Sequence, residues 1–241
     1  RYIFVLFLLG TSFSCNVLDQ DFESITAAQT YYTTDAQLAA AANTIYYNIC
    51  NLCDRTCRFD EICLGANDVT TSPALLDLVE AETYHISSSN DMLLYWWQNT
   101  YKVIISCNNI IVNSNKVPDS DIKNTALGQA YFARAWEYFW LVRMHNRIPL
   151  ITDINTHPNI SLSEPQAVYD QIVSDLQKAE TLLPDSYSDY RMHVAYTKGT
   201  AKSVLSLVYL TMAGYPVKNA SMYALAASKA KEVIDNAGTW G

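Results

Sequence analysis

The sequence predicts an all-α fold, a superhelix of tetratricopeptide-like helix pairs with one long irregular insertion. Glycine and proline are scarce, with 7 of each in 241 residues, which argues against many short strands joined by turns. Apolar residues recur at three- and four-residue spacing in several separate stretches, as on the buried face of a helix. The motif Leu127-Gly128-x-x-Tyr131 matches the first-helix signature of the tetratricopeptide repeat.

Composition excludes two classes of protein. Half of the residues are apolar and 17% are charged, so the chain can bury a sizeable core and is not intrinsically disordered. The formal net charge is −8, and the sequence contains no basic stripe. Nucleic-acid binding is therefore not expected.

The N-terminal segment predicts export and a lipid anchor. The apolar run at 2–9 is too short to span a bilayer, which requires about 20 residues. Small residues and then Cys15 follow this run, as in the cleavage site of a bacterial lipoprotein. We expect a signal peptide at 1–14, acylation of Cys15 and a polar tether at 15–30. The alternative is an ordinary signal peptide with an unmodified cysteine.

The remaining chain, 31–241, is predicted to be one helical domain. Its first helix begins at Thr34 or Asp35, either of which can cap it, and ends near Cys50. The insertion at 51–95 is irregular and is expected to contain short helices or a hairpin. Apolar stripes then indicate helices within 101–112, 131–142, 169–183 and 201–212, and a last helix spans about 220–237. Prolines separate these segments, at Pro118, Pro149, Pro158, Pro184 and Pro216.

Four cysteines in the insertion are candidates for disulfides. Cys50, Cys53 and Cys57 share one face if the helix persists, and Cys63 follows closely. One or two bridges among these four suit an exported protein. A metal site and free thiols are the alternatives. Cys107 lies in a predicted helix and is expected to be a small core residue.

The stretch at 95–99 combines aromatic rings with amides, the residue types that bind sugars. If Trp97 belongs to the apolar stripe with Tyr101, Trp96 points about 100° away around the helix. Trp96 could then form a flat platform, with Asn99 nearby to hydrogen-bond hydroxyl groups. The alternative is that both tryptophans belong to the core.

Asn67 and Asp68 are weaker ligand-binding candidates, because an Asn-Asp pair also simply forms a turn. The sequence contains no nucleophile elbow, phosphate-binding glycine loop or zinc-protease motif. We therefore expect no catalytic residue, no metal and no cofactor.

Two residues within helices have structural interpretations. Arg134 is expected to be buried or half-buried, with its head paired to a carboxylate or carbonyl. Asp175 is expected to pair with Lys178 on the surface.

The order of these motifs resembles the SusD/RagB family of nutrient-binding outer-membrane lipoproteins. The most specific match is Ala130-Tyr131-Phe132-Ala133-Arg134-Ala135, followed by Tyr138-Phe139 and Ile148-Pro149-Leu150. The next is Tyr169-x-x-Ile172 with Asp175-Leu176-x-x-Ala179. Family members are usually about twice as long, so the resemblance implies that this chain is an N-terminal half without its C-terminal half.

The resemblance also implies a function. Such a protein captures an oligosaccharide or other large nutrient at the cell surface without altering it. It then delivers the cargo to a TonB-dependent transporter of the SusC type. Whether the cargo is a glycan or a peptide stays open, with a weak preference for a glycan. The rival hypothesis is a helical-repeat scaffold that binds only protein partners in the envelope.

Overall fold

The computed structural model describes residues 31–56, 70, 72–74, 76–155, 157, 159–189, 191–192 and 194–239. Within these ranges the chain forms seven α-helices, one 3-10 turn at Ser114–Lys116 and a single antiparallel bridge between Ile148 and Ser163. The helices are α1 (Asp35–Thr56), α2 (Leu76–Glu82), α3 (Asp91–Asn113), α4 (Asp121–His145), α5 (Pro165–Leu182), α6 (Lys198–Ala213) and α7 (Met222–Asp235).

Several helices begin where a polar side chain caps their first free N–H groups. The Asn90 side chain accepts a hydrogen bond from the Leu93 amide at 3.0 Å at the start of α3. The Ser120 hydroxyl accepts one from the Lys123 amide, also at 3.0 Å, at the start of α4. Thr197 forms a capping box at the start of α6. Each cap satisfies a donor that lacks a partner within its helix.

Helices extend into both ends of the predicted insertion. Helix α1 continues to Thr56, α2 lies inside the insertion, and α3 already begins at Asp91. The Asn90 cap explains the early start of α3, since its side chain also donates to the Asp77 carbonyl and to the Glu80 carboxylate. These bonds attach α2 to the first turn of α3.

The helices pack as a continuous series, which confirms the all-α prediction. Helix α1 contacts α3 and α4, and α3 contacts α4. The later helices pack in chain order, α4 on α5, α5 on α6 and α6 on α7. Cys107 is fully buried in the core that α1, α3 and α4 share, as the sequence predicted.

Gly128 allows α4 to approach the end of α5 closely. A Cβ atom at this position would lie 2.9 Å from Leu183 Cγ and 3.1 Å from the Leu183 backbone nitrogen. Separations this short would force Leu183 to shift, so the packing favours a glycine here. The glycine of the tetratricopeptide-like motif therefore has a packing function.

A buried ion pair joins α4 to α5. The Arg134 guanidinium donates to both Asp175 oxygens, at 2.8 and 2.7 Å, and the two side chains are 3% and 0% exposed. Burial alone would lower the pKa of Arg134, but the hydrogen bonds and charge of Asp175 outweigh it and raise the pKa. The Arg134 prediction is confirmed. The prediction of a surface pair between Asp175 and Lys178 is wrong.

Asn108 extends this pair to the loop after α4. Its Oδ1 accepts from Arg134 at 2.7 Å, while its Nδ2 donates to the carbonyls of Ile151 and Asp153. The Tyr138 hydroxyl also donates to the Ile151 carbonyl at 2.8 Å. These hydrogen bonds hold α3 in a fixed position relative to α4 and α5.

Candidate functional site

A cleft of about 350 Å³ lies between the C-terminal half of α1 and the N-terminal half of α3. Its size falls within the usual range for small-molecule sites. The cleft combines two tyrosines with three asparagines and a lysine. Its lining residues are Tyr47, Asn48, Asn51 and Leu52 from α1 and Tyr95, Asn99 and Lys102 from α3.

Hydrogen bonds organise the α3 side of the cleft. Asn99 Nδ2 donates to the Tyr95 carbonyl at 2.7 Å, and Lys102 Nζ donates to Asn99 Oδ1 at 3.1 Å. Asn99 therefore holds the lysine head at the cleft. A ligand would meet the remaining ammonium hydrogens of Lys102, since an ammonium has three donors.

The α1 side of the cleft offers groups that are available to a ligand. Tyr47 is 67% exposed. The side-chain amides of Asn48 and Asn51 make no hydrogen bond to any residue that the structure describes. Each such amide can donate and accept at once. An aromatic ring beside paired amides is an arrangement suited to a sugar.

The structure corrects the expectation that Trp96 forms a free platform. Trp96 is 0% exposed and belongs to the main core, with its ring 5.4 Å from the His145 ring. Trp97 is half-buried and meets the same histidine edge-on at 4.9 Å. Helix α3 packs against α1 and α4 together, so its buried face is wider than the single stripe through Trp97 and Tyr101.

His145 lies at the end of α4 between the two tryptophans. Burial lowers its pKa below the ordinary histidine value. Its Nε2 atom is buried without a hydrogen-bond partner in the described part of the chain. A neutral imidazole therefore suits this place better than a charged one. The histidine packs against the first turns of α3 through Trp96 and Trp97.

Several residues predicted from the sequence lie outside the part of the chain that the structure describes. Asn67, Asp68, Cys15, Cys57 and Cys63 fall outside the described residues. Of the remaining disulfide candidates, Cys53 lies in α1 at a position whose side chain is not described. Cys50 is exposed and forms no disulfide with a described residue. Among the described helices, none is long and apolar enough to cross a membrane.

Sequence reasoning found Asn99 but missed the α1 side of the cleft. The signal was present, because Tyr47-Asn48 and Asn51 combine an aromatic ring with amides as the stretch at 95–99 does. Tyr47 and Asn48 lie inside the first predicted helix and Asn51 in the predicted insertion, and only the packing of α1 on α3 brings them opposite Asn99. The structure places both stretches on opposite walls of one cleft.

Comparison with known proteins decides the family. Residues 62–210 match the family model SusD-like_3, described as "Starch-binding associating with outer membrane". The chain belongs to the SusD-like family. This SusD-like chain is 29% identical to SusD-like protein P2 of Formosa agariphila over 98% of its own length and 46% of that protein's length. It thus spans less than half of the curated relatives it matches.

Two solved structures extend the comparison to ligands. A laminarin-binding SusD-like protein is 26% identical and superimposes with a TM-score of 0.63, over 71% of this chain and 39% of that one. A protein solved with a xylogluco-oligosaccharide is 25% identical, with a TM-score of 0.71 over 83% of this chain and 40% of that one. Both similarities confirm the helical architecture of the SusD-like chain.

Proposed function

We propose that this protein binds an oligosaccharide at the bacterial cell surface and delivers it to a SusC-type TonB-dependent transporter. The observation that supports the proposal most strongly is the cleft of tyrosines and amides between α1 and α3. Membership of the SusD-like family and similarity to proteins named for laminarin and xylogluco-oligosaccharide support the ligand class. The family also supports an outer-membrane location and a lipid anchor on Cys15.

The cleft suits a sugar ring in two ways. The exposed ring of Tyr47 offers an apolar face for the C–H groups of a pyranose. The amides of Asn48 and Asn51 can donate to one hydroxyl and accept from its neighbour. Asn67 and Asp68 stay candidates for the same ligand.

We expect the protein to release its ligand chemically unaltered. Hydrolysis of a glycosidic bond normally requires two carboxyl groups that flank it. The described lining of the cleft supplies amides, tyrosines and one lysine, but no carboxylate. The proposed role is therefore capture and delivery rather than turnover.

Titration calorimetry of the purified protein tests this function. The probes are laminarin oligosaccharides, xylogluco-oligosaccharides and unrelated peptides of similar size. We expect saturable binding of at least one glycan class, with the glycan recovered intact by chromatography. Cleaved products would contradict the binding role. Absence of glycan affinity would instead favour the scaffold hypothesis.

Delivery is tested separately by affinity purification from outer membranes of the source bacterium. The expected result is co-purification of a TonB-dependent transporter with the tagged protein. Recovery of envelope proteins without any such transporter would contradict the delivery step, while leaving glycan capture in place.

A further inference from the structure

A second polar groove lies beside α1, on the N-terminal side of the cleft. It consists of a cavity of about 690 Å³ and a cavity of about 240 Å³, bordered by α1, α4 and described residues of the connection between α5 and α6. Asn43, Gln129 and Arg191 line both cavities, so the two cavities adjoin and are together called the groove. The larger cavity alone lies within the range of small-molecule sites.

The orientation of the Gln129 amide is fixed by its neighbours. The Tyr187 hydroxyl donates its only proton to the Tyr196 carbonyl at 3.1 Å. The hydroxyl must therefore accept from Gln129 Nε2, at 3.2 Å. Gln129 is 4% exposed, and its Oε1 has no hydrogen-bond partner among the described residues. Gln129 Oε1 is therefore a nearly buried acceptor that can bind a hydrogen-bond donor of a ligand in the groove.

The other walls also favour a neutral partner that carries hydroxyl groups. Asn43 is exposed, and its amide makes no hydrogen bond to a described residue. The Arg191 guanidinium is paired with Asp189 at 2.7–3.0 Å and lies over the Tyr187 ring. Since Asp189 balances the arginine and Asp121 adds a second carboxylate, the groove does not attract anions.

The groove and the cleft are neighbours along α1. Asn43 borders the groove and Tyr47 borders the cleft, four residues further along the same helix. One turn of helix separates them, a rise of about 6 Å. Tyr46, between them in sequence, lines the smaller cavity and stacks on Tyr196 with ring centroids 4.7 Å apart. A ligand of several sugar units can therefore reach both places.

We propose that this groove is a second subsite for a neutral glycan chain, contacted through Gln129 and Asn43. The inference rests on the proposed glycan-binding function and adds to it a dependence on chain length. A short oligosaccharide occupies one place only, whereas a longer one occupies both and gains affinity without any new kind of contact.

The test compares short and long probes, laminarin and xylogluco-oligosaccharides of two to nine sugars, by titration calorimetry. In the wild type we expect the affinity to rise with length. Asn43→Trp fills the groove at an exposed position, and Gln129→Leu removes the acceptor. Each variant should weaken binding of the longest probe by about a hundredfold, the lower end of the range for linked sites. Binding of the shortest probe in the cleft should stay unchanged.

Asn115→Trp is the matched control, because Asn115 is exposed and lines neither cavity. Circular dichroism of each variant confirms that it is folded. Long-chain affinity that survives both groove variants overturns the second subsite and leaves the cleft standing. Tyr47→Ala, which truncates a tyrosine of the cleft, is measured beside them. If the two groove variants weaken glycan binding and Tyr47→Ala does not, the groove is supported and the cleft is contradicted. If the wild type binds no glycan, the proposals for the cleft and for the groove are both overturned.

Discussion

At the scale of single residues, Arg134 hydrogen-bonds to Asp175 and Asn108, and Asn108 continues to the loop after α4. The sequence predicted the partner type of Arg134, because a charged head among aromatic neighbours needs a counter-charge or a carbonyl. It did not predict which carboxylate. Asp175 lies one position off the apolar stripe of α5, but α5 packs on both α4 and α6, so its buried arc includes that position.

Asp175→Asn should destabilise the fold strongly. The substitution leaves the Arg134 charge buried without its counter-charge, which typically costs about 3–5 kcal/mol. Urea unfolding monitored by circular dichroism measures the change in unfolding free energy. Asp170→Asn is the control, since Asp170 is an exposed residue of the same helix. Equal stability of the two variants would show that the buried pair contributes little.

Gly128→Ala should also destabilise the protein. The added methyl would meet Leu183 at 2.9 Å, and overpacking of this kind costs about 1–3 kcal/mol, which exceeds the gain of about 1 kcal/mol in helix propensity. Gly214→Ala is the control, because its nearest neighbour would be 3.5 Å away. Thermal unfolding compares the two. A stability gain in Gly128→Ala would contradict the close approach of α4 and α5.

At the scale of elements, the sequence indicated the later helices well and the region around residues 51–95 poorly. Helices α4 to α6 have long apolar stripes, whereas the start of α3 depends on the contact of Asn90 with Glu80, ten residues earlier. Pattern analysis within one segment cannot show such a contact. Trp96 is buried for a related reason, because α3 has neighbours on two sides.

The junction of α3 and α4 should be sensitive to pH through His145. Its pKa is lowered in the folded state, so the unfolded chain binds the proton first as the pH falls through about 6.5, the ordinary histidine pKa. The stability that the neutral ring provides is present above that pH and is lost as the pH falls through the lower folded-state pKa. Unfolding free energies measured between pH 7.5 and pH 5 should therefore decrease toward acid.

His145→Phe keeps an aromatic ring and removes the titratable imidazole. The unfolding free energy of this variant should therefore decrease less toward acid than that of the wild type. His85→Phe, at an exposed position, serves as the control and should retain the wild-type dependence. Identical pH profiles for wild type and His145→Phe would contradict the role of His145.

At the scale of the whole molecule, the family could be recognised from motif order and is confirmed by the family model. The cleft between α1 and α3 could not be predicted in the same way. Its two walls come from helices about 50 residues apart in sequence, and their facing sides depend on how α1 and α3 pack. Chemistry alone identified one wall, at Asn99, and not the other.

The proposed anchor gives a prediction for the intact protein in its bacterium. Cys15→Ser removes the thiol that acylation requires, so the protein should move from the membrane fraction to the soluble fraction and lose label from radioactive palmitate. Cys50→Ser, which keeps Cys15, should behave as wild type. Acylated, membrane-bound Cys15→Ser protein would contradict the anchor.

The central claim is that a glycan binds in the cleft between α1 and α3. Titration calorimetry of wild type, Tyr47→Ala and Tyr223→Ala with laminarin and xylogluco-oligosaccharides tests it most directly. Tyr223 is a similarly exposed tyrosine on α7, at 54% against 67% for Tyr47. We predict that Tyr47→Ala loses about 1.5–3 kcal/mol of binding free energy, the scale of burying a large side chain, and that Tyr223→Ala loses none. Equal affinity in all three proteins would contradict the cleft as the binding site.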